Sequence, residues 1–415
     1  MELGPLNGRL MILPGRIRIV FGIAVAAAAA LACRDESRSA VRTVTDSAGI
    51  QLIAIPAPDS SVPKWVILTD DPVFVVGGQA DSSGQFNSIV SAVALPEGRV
   101  AVATNDVFRI HVFDSLGRQV ARFGRKGDGP GELAWPPALY MHGDSLVAVQ
   151  ERGGRIKLGV WNTRGEVVRE YEARIRVTFD DMYGSIGVAP NGDVLVMTAM
   201  TGLLAGGGGG PRRAKVTISR ASPSGGDAVA VLELPGDDRY GLNGQGRLRS
   251  TYVKFGKTTV ATVAGGAIQS GTNDGFAIDS WTFDGHLQRR LRIAIEPQRV
   301  TKVMRERHMQ ELLNDTQPET RRFAKTLVSV MRYADYLPSY DALYATQEGG
   351  LWIALSRMRD EEARKFLIVD ADGQLIGSAV LPAEFKPIWI SQNRILLRGR
   401  DKDDVPYLGL YRITR

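Results

Sequence analysis

The sequence predicts an all-β fold, a six-bladed β-propeller of four-stranded antiparallel blades that carries a two-helix insert. Three observations lead to this prediction. A strand–turn–strand phrase recurs along the chain, a further strand stands upstream of each phrase, and the last unit lacks a strand that the amino-terminal region can supply. Four-stranded units that repeat every ~40–50 residues are typical of propellers. The 46 glycines among 415 residues agree with the many tight turns of such a fold.

The recurring phrase is an apolar strand, an Asp or Asn, a glycine turn and a second strand. Asp-x-x-Gly and Asp-Gly between apolar runs are hairpin signals. The turns of the four copies are Asp114–Gly117, Asn162–Gly165, Asp284–Gly285 and Asp370–Gly373. The long interval between the second and third copies predicts one more unit, in which the phrase is not visible.

A further strand precedes these phrases, in several cases after a Pro-Glu-Gly or Pro-Asn-Gly turn. The six predicted strands of this kind are Arg99–Thr104, Ser145–Gln150, Asp193–Thr198, Gly266–Gly271, Leu351–Ser356 and Arg394–Gly399. Six such strands, each in a unit of about four, predict six blades.

The last unit offers only three strands, at Ile388–Gln392, Arg394–Gly399 and Leu408–Ile413. An incomplete terminal blade would leave an open sheet edge. Pro72–Gly77 has the apolar pattern of the missing outer strand. We therefore expect this amino-terminal segment to complete the last blade and to close the ring.

Residues 296–336 interrupt the strand pattern and predict two helices. Pro297 suits the first turn of a helix, and Val303, Met304 and His308 share one helical face. Two interpretations remain: a helical pair that packs its apolar side on the ring, or a lid over a binding site. Because the insert joins an outer strand to an inner one, it belongs to the end of the ring that carries the loops between second and third strands.

Composition excludes several classes of protein. The 51 Lys+Arg and 45 Asp+Glu give a net charge of +6, too mild to predict nucleic-acid binding. A single cysteine excludes a disulfide framework and a Cys-rich zinc site. The four histidines are scattered and none pairs at metal-ligand spacing, so we expect neither a metal nor another cofactor.

The amino terminus has the pattern of an export signal. Arg9, Arg16 and Arg18 precede the apolar run Ile19–Ala32, which is too short to span a bilayer as a helix. A basic region, an apolar region and small residues before a break are typical of a secretory signal peptide.

The run ends in Ala30-Leu31-Ala32-Cys33, which resembles a bacterial lipobox, with Ala where the first Leu usually stands. The resemblance implies that Cys33 is acylated and that a lipid bilayer is a partner. A secreted protein without lipid and an uncleaved anchor are the alternatives. The expected organisation is a signal peptide at 1–32, a lipidated tether at 33–47 and a propeller at 48–415, in the cell envelope.

Two segments carry a family resemblance. Arg109–Phe113 reads Arg-Ile-His-Val-Phe, and Phe123–Leu133 contains Gly-Asp-Gly-Pro-Gly-Glu-Leu. Together they resemble the NHL repeat of bacterial and animal propellers, with Leu133 in place of the family's Phe. The wider chain, from about residue 45 to 415, resembles six-bladed NHL-like lipoproteins of bacteria. The resemblance implies the fold and leaves the activity open, because propellers have many unrelated functions.

Basic loops are expected at the end of the ring that bears the insert, together with two aromatic residues. A basic surface attracts anions and acidic partners. The candidate ligand-binding residues are Arg125, Lys126, Trp135, Arg152, Arg155 and Tyr340.

Three functions fit this sequence. The first is a non-enzymatic module that binds a protein segment or a small anionic ligand at this end of the ring. The second is a hydrolase or lyase acting on a lactone, peptide or polysaccharide at the channel mouth, for which no catalytic residues can be named. The third is a structural role in the envelope. An enzyme would need several polar side chains within hydrogen-bond reach of each other.

Overall fold

The computed structural model describes residues 42–67, 69–78, 86–105, 108–162, 164–177, 181–200, 211–241, 250–314, 317 and 320–415. The expected signal peptide, Cys33 and most of the expected tether lie outside this range. Within it, the chain is nearly all β and has two helices. None of these helices combines the length and the apolar character that a membrane crossing requires.

The described strands form five sheets. Within each set, strands that follow one another along the chain pair antiparallel. The first sheet contains Ile89–Ala94, Val100–Thr104, Ile110–Phe113 and Gln119–Phe123. The second contains Ala138–His142, Ser145–Arg152, Arg155–Trp161 and Val167–Arg174, with the short strand Gly226–Asp227 added in parallel. The third contains Asp181–Val188, Val194–Met200, Pro211–Ala221, Val229–Gly241 and Ser250–Tyr252.

The fourth and fifth sheets include strands from the amino terminus. The fourth contains Val260–Ala264, Ala267–Gly271, Ala277–Trp281 and Leu287–Ile293, followed by Ile50–Ile55 and Thr43–Ser47. The fifth has a first half made of Tyr340–Ala345, Leu351–Leu355, Ala363–Val369 and Leu375–Pro382. Its second half contains Lys386–Ile390, Arg394–Arg400, Pro406–Thr414 and Phe74–Gly77, and Lys64–Ile67 joins the two halves.

The first strands of successive sets contact each other in chain order. Ile89–Ala94 contacts Ala138–His142, and the contacts continue through the later first strands until Lys386–Ile390 contacts Ile89–Ala94 again. Apolar side chains fill the spaces between neighbouring sets. The arrangement is propeller-like, a circle of sheets around a central cavity.

The amino-terminal segment supplies the strand that the last unit lacks. Phe74–Gly77 pairs antiparallel with Pro406–Thr414, with Val76 opposite Leu408. Val76 is fully buried in an apolar cluster that also contains residues of the first sheet. The pairing predicted for this segment is therefore confirmed, and this amino-terminal segment of the described chain shares one sheet with the last strand.

The expected boundary of the tether is wrong in its last part. Thr43–Ser47, assigned to the tether, is a strand that pairs antiparallel with Ile50–Ile55. The turn between them has Ala48 and Gly49 in the left-handed region, and the Gly49 N–H donates to Asp46 Oδ1 at 3.1 Å. This local hairpin adds to the outer edge of the fourth sheet, so the ordered body begins before residue 48.

The insert forms two helices, α1 at Lys302–Asn314 and α2 at Arg321–Val330. Pro297 precedes the first helix instead of opening it, and the Thr301 hydroxyl accepts from the Met304 N–H at its start. Met304 is buried, whereas Val303 is exposed, so the expected apolar face is only partly correct. Met304 packs with Val300, Leu337 and Met358, which attaches the insert to the fifth sheet.

Candidate functional site

The loops that matter for binding lie at one end of the circle of sheets. Because strands alternate in direction, each loop between second and third strands shares an end with the connections from one set to the next. This end contains the hairpin between Ser145–Arg152 and Arg155–Trp161, the connection 124–137 and the insert. We call it the insert-bearing face.

Arg152 and Trp135 form a stacked pair on this face. The Arg152 Cζ atom lies 5.2 Å from the centroid of the Trp135 ring. Arg152 ends its strand because Gly153 and Gly154, both with positive φ, make the tight turn to Arg155. Trp135 is 42% exposed. A guanidinium held over an aromatic face keeps its hydrogen-bond donors in a fixed plane, available to an anion.

Gln150 places Trp135 beside Arg152. Its side-chain Oε1 accepts from the backbone N–H groups of Ala134 at 2.7 Å and Trp135 at 3.2 Å. Its Nε2 donates to the carbonyl oxygen of Glu132 at 3.3 Å. Gln150 is itself buried, so this connection is fixed to the second sheet by three hydrogen bonds.

The connection 124–137 contains two predicted basic residues, Arg125 and Lys126, and both already contact other side chains. Arg125 Nε lies 2.8 Å from Glu132 Oε1 in an ion pair. The Gly129 N–H and then the Arg125 guanidinium hold the pKa of Glu132 below its usual value. Lys126 Nζ lies 5.2 Å from the centroid of the Phe108 ring. These contacts stabilise the connection and leave Arg125 less available to a ligand.

Arg152 and Arg155 differ from Arg125 in this respect. The two lie directly opposite each other across their hairpin. Among the residues that the structure describes, no carboxylate lies within 4 Å of either guanidinium. Five of the six predicted binding residues therefore lie on two neighbouring segments of this face, and no described carboxylate pairs with two of them, Arg152 and Arg155.

Tyr340, the sixth predicted binding residue, does not lie with this group. Its side chain is fully buried, packs against Phe276 and donates through its hydroxyl to the carbonyl oxygen of Ala277 at 2.6 Å. Burial raises the pKa of the Tyr340 hydroxyl. A Cβ at Gly271 would lie 1.9 Å from this hydroxyl, so only glycine fits there. Tyr340 fills the interior between the fourth and fifth sheets.

The central cavity has a volume of about 570 Å³ and a mixed lining. Apolar side chains such as Val90, Leu139 and Ile388 alternate with hydroxyl and amide groups, as at Tyr140 and Gln347. Its described lining contains no carboxylate and no imidazole. Among the described lining residues, Tyr140 and Tyr344 carry hydroxyls of a type that can transfer a proton, and burial raises the pKa of both, which disfavours their ionised form.

Two arginines beside this cavity were not predicted as binding residues. Arg364 Nη2 donates to Asp341 Oδ1 at 2.5 Å, and Arg364 Nη1 lies 3.4 Å from the hydroxyl of Tyr344, a cavity-lining residue. Arg398 donates to the carbonyl oxygen of Ile89, next to the lining residue Val90. The sequence does contain a signal for Arg398, a charged residue at the end of the buried strand segment Ile395–Leu397.

Within the described part of the chain, no three His, Cys, Asp or Glu side chains converge in a way that could hold a metal ion. His111 contacts Gln119, His142 contacts the Pro190 carbonyl and His308 contacts Tyr333. Each of these three histidines therefore has a structural neighbour of its own.

No protein-family model and no curated protein matches this sequence. Solved structures with similar strand arrangements include a DUF4221-family member from Bacteroides vulgatus, with 9% identity over 85% of this chain and 99% of that chain, at a TM-score of 0.48. Virginiamycin B lyase from Staphylococcus aureus has 13% identity over 85% of this chain and 99% of that chain, at a TM-score of 0.38. Aldose sugar dehydrogenase from Streptomyces coelicolor has 12% identity over 85% and 100%, at a TM-score of 0.42. These distant likenesses assign neither a ligand nor a reaction.

Proposed function

We propose that this chain is an exported, lipid-anchored binding module that takes up an anionic ligand on the insert-bearing face. In this proposal each of the six antiparallel sets of strands is one blade of an NHL-like propeller, and the strand Phe74–Gly77 completes the last blade. The closed order of contacts among first strands supports the count of six.

The Arg152–Trp135 pair carries the proposal. It combines an exposed aromatic ring, a guanidinium stacked on that ring and a second guanidinium at Arg155. A carboxylate or phosphate can accept two parallel hydrogen bonds from one guanidinium. A small anion and an acidic segment of a partner protein both present this chemistry, and the experiment below separates them.

Binding is favoured over catalysis by the lining of the central cavity. A hydrolase or lyase at the channel mouth would need polar groups that converge on a substrate. The described lining instead offers apolar side chains with hydroxyl and amide groups, and no carboxylate or imidazole. Beside it, Arg364 contacts Asp341 and Tyr344, and Arg398 donates to the Ile89 carbonyl group. These contacts hold neighbouring strands together.

Titration calorimetry tests the proposed ligand chemistry. Citrate and inorganic phosphate represent small anions, and an oligo-glutamate peptide represents an acidic segment. We expect at least one of them to bind, and the Arg152→Glu/Arg155→Glu variant to bind it at least about tenfold more weakly, because a favourable charge becomes a repulsive one. Arg122→Glu/Arg169→Glu, on exposed outer strands of the first and second sheets, is the matched control. Equal loss in both variants, or no binding by any probe, would refute the proposal.

The anchor is tested separately. A lipid on Cys33 predicts that the protein sediments with membranes and that Cys33→Ser shifts most of it to the aqueous fraction. A single acyl chain binds membranes only marginally, so a diacylated cysteine is the expected form. Mass spectrometry of the mature amino terminus checks this directly, and an unmodified cysteine would contradict it.

A further inference from the structure

The described chain begins at the insert-bearing face. Ile50–Ile55 runs parallel to Leu287–Ile293, with Ile55 opposite Ile293, where the chain leaves the sheet for the insert. Thr43 lies opposite Ala54 in the antiparallel partner strand. Thr43 therefore lies at the same end of the fourth sheet as the start of the insert.

Helix α2 presents a cluster of positive charge on that face. Arg321, Arg322 and Lys325 are all exposed, and the helix contains no acidic residue. In the described part of the protein, none of the three has a carboxylate within 4 Å. Such a cluster attracts a negatively charged surface.

Apolar and aromatic tips are also exposed in the insert and in the strand that precedes residue 253. Tyr252 and Tyr336 are nearly half exposed, and so is Val330 at the end of α2. The Arg239 guanidinium lies 4.0 Å from the Tyr252 ring centroid, and the Arg299 guanidinium lies 5.8 Å from that of Tyr336. Tyrosine rings with neighbouring cations are typical of segments at the headgroup level of a bilayer.

Hydrogen bonds fix α2 on the sheets. The Tyr240 hydroxyl donates to the Val330 carbonyl oxygen at 2.8 Å and accepts from the Arg332 N–H at 3.1 Å. The Lys254 N–H donates to the Arg332 carbonyl oxygen at 2.7 Å, and the Ala334 N–H donates to that of Lys254 at 2.9 Å. These bonds attach the carboxyl end of α2 to the third sheet and to the connection that follows it.

We propose that this surface, formed by Arg321, Arg322, Lys325, Tyr252, Val330 and Tyr336, docks on anionic phospholipid headgroups. We call it the α2 surface. Residues 34–42 separate Cys33 from Thr43, and the ten Cα–Cα steps between the two reach at most about 36 Å. The choice of a membrane as the partner rests on the proposed lipidation of Cys33, which would hold this surface close to a bilayer. The positive charge and the exposed tips of the surface do not depend on that proposal. A lipid anchor and a basic surface are the two signals that stable membrane attachment requires.

The test uses the purified Cys33→Ser protein, so that no lipid contributes. It is sedimented with phosphatidylethanolamine vesicles that contain or lack phosphatidylglycerol. We expect binding only to the anionic vesicles, and Arg321→Gln/Arg322→Gln/Lys325→Gln to weaken it by more than about tenfold, because each cation near such a surface adds a severalfold gain in affinity. The matched control is Arg122→Gln/Arg164→Gln/Arg169→Gln, which removes the same charge from the outer strands and a far hairpin.

Equal binding to both kinds of vesicle, or equal loss in both triple variants, would overturn the α2 surface as the docking site. Tyr336→Ala, which leaves every charge in place, provides a second measurement if the first triple variant does not fold, and unchanged binding by it would also count against the proposal.

The Arg152→Glu/Arg155→Glu variant separates the two sites. If it loses the soluble ligand but retains vesicles, both proposals stand. If the α2 triple variant loses the soluble ligand as well, the sites are not distinct and the docking proposal fails.

Discussion

The Arg398 guanidinium donates through Nη1 to the carbonyl oxygen of Ile89 at 2.7 Å, across a separation of 309 residues. The bond joins the last set of strands to the first. Ile89 lies in an innermost strand, whose channel-side backbone groups have no neighbouring strand to pair with. Similar bonds join other neighbours: the Leu139 N–H donates to Ser91 Oγ, and the Tyr140 hydroxyl donates to the Ser185 carbonyl oxygen. Side chains of one set thus satisfy inner-strand backbone groups of the next.

Arg398→Met is expected to lower the free energy of unfolding by about 2 kcal/mol, because it leaves a partly buried carbonyl group without its charged donor. Lys386→Met, directly opposite on the neighbouring strand and exposed, is the matched control and should change little. Chemical denaturation of both variants measures the difference. Equal effects would show that the contact to Ile89 contributes nothing to closure.

The closing strand offers a matched pair of adjacent positions. Val76 is fully buried, whereas Val75 on the other side of the strand is 43% exposed. Val76→Ser should cost about 2–3 kcal/mol of stability, since it leaves a cavity and a buried hydroxyl, and Val75→Ser less than about 0.5 kcal/mol. We expect Val76→Ser to lower a single cooperative unfolding transition. A separate early transition would instead indicate local fraying of the closing strand.

Gln150 is expected to act as a positioning residue for the ligand site. Gln150→Leu removes the acceptor for the Ala134 and Trp135 N–H groups, so the connection should loosen and ligand affinity should fall severalfold with Arg152 still present. The fluorescence of Trp135 should shift as the ring leaves the guanidinium. Gln150→Glu, which keeps the acceptor, should restore the Trp135 signal, and a signal that stays lost in Gln150→Glu would contradict this role.

His308 predicts a pH dependence of the insert. Burial, followed by the positive charges of Lys254 and Arg359, lowers the pKa of His308 to about 4. Between pH ~6.5 and ~4 the detached or unfolded form binds a proton that the docked form does not, so the docking loses stability as pH falls through this window. Thermal unfolding from pH 7 to 4.5 should show a smaller decline in His308→Gln than in the wild type. Matching declines would exclude His308 as the source, and His286→Gln in a surface hairpin is the control.

Much of the fold is visible in the sequence because turn chemistry is local. Asp114 and Asp370 each accept backbone N–H groups across their turns, as the hairpin signal predicts. The turn that the sequence did not reveal, in the unit between the second and third copies, lies at Ser222–Gly225. There Ser222 Oγ accepts from the Ser224 N–H in the same way. In the fourth sheet, Thr282 and not Asp284 accepts the turn N–H groups. A hydroxyl can replace the carboxylate, and a search for Asp or Asn misses it.

The rest depends on contacts between distant segments. Nothing local indicates that Ile50–Ile55 joins the fourth sheet, because its partner Leu287–Ile293 is far along the chain. The same holds for Tyr340, a predicted ligand-binding residue whose side chain lies in the interior against Phe276 and Ala277. The pairing of Arg152 with Trp135 also depends on Gln150, a buried amide in a strand that reads as wholly structural.

The most direct test of the account is whether Lys64–Ile67 lies beside the last strand, Pro406–Thr414. Val66 and Thr414 are paired residues on adjacent antiparallel strands, and both are exposed. Such pairs have Cα separations within the range of a disulfide. In a Cys33→Ser background, Val66→Cys/Thr414→Cys should therefore form an intramolecular disulfide in the native monomer, seen by peptide mass mapping, and should raise the unfolding temperature. Two free thiols in the folded, oxidised monomer would contradict a ring closed by its own ends.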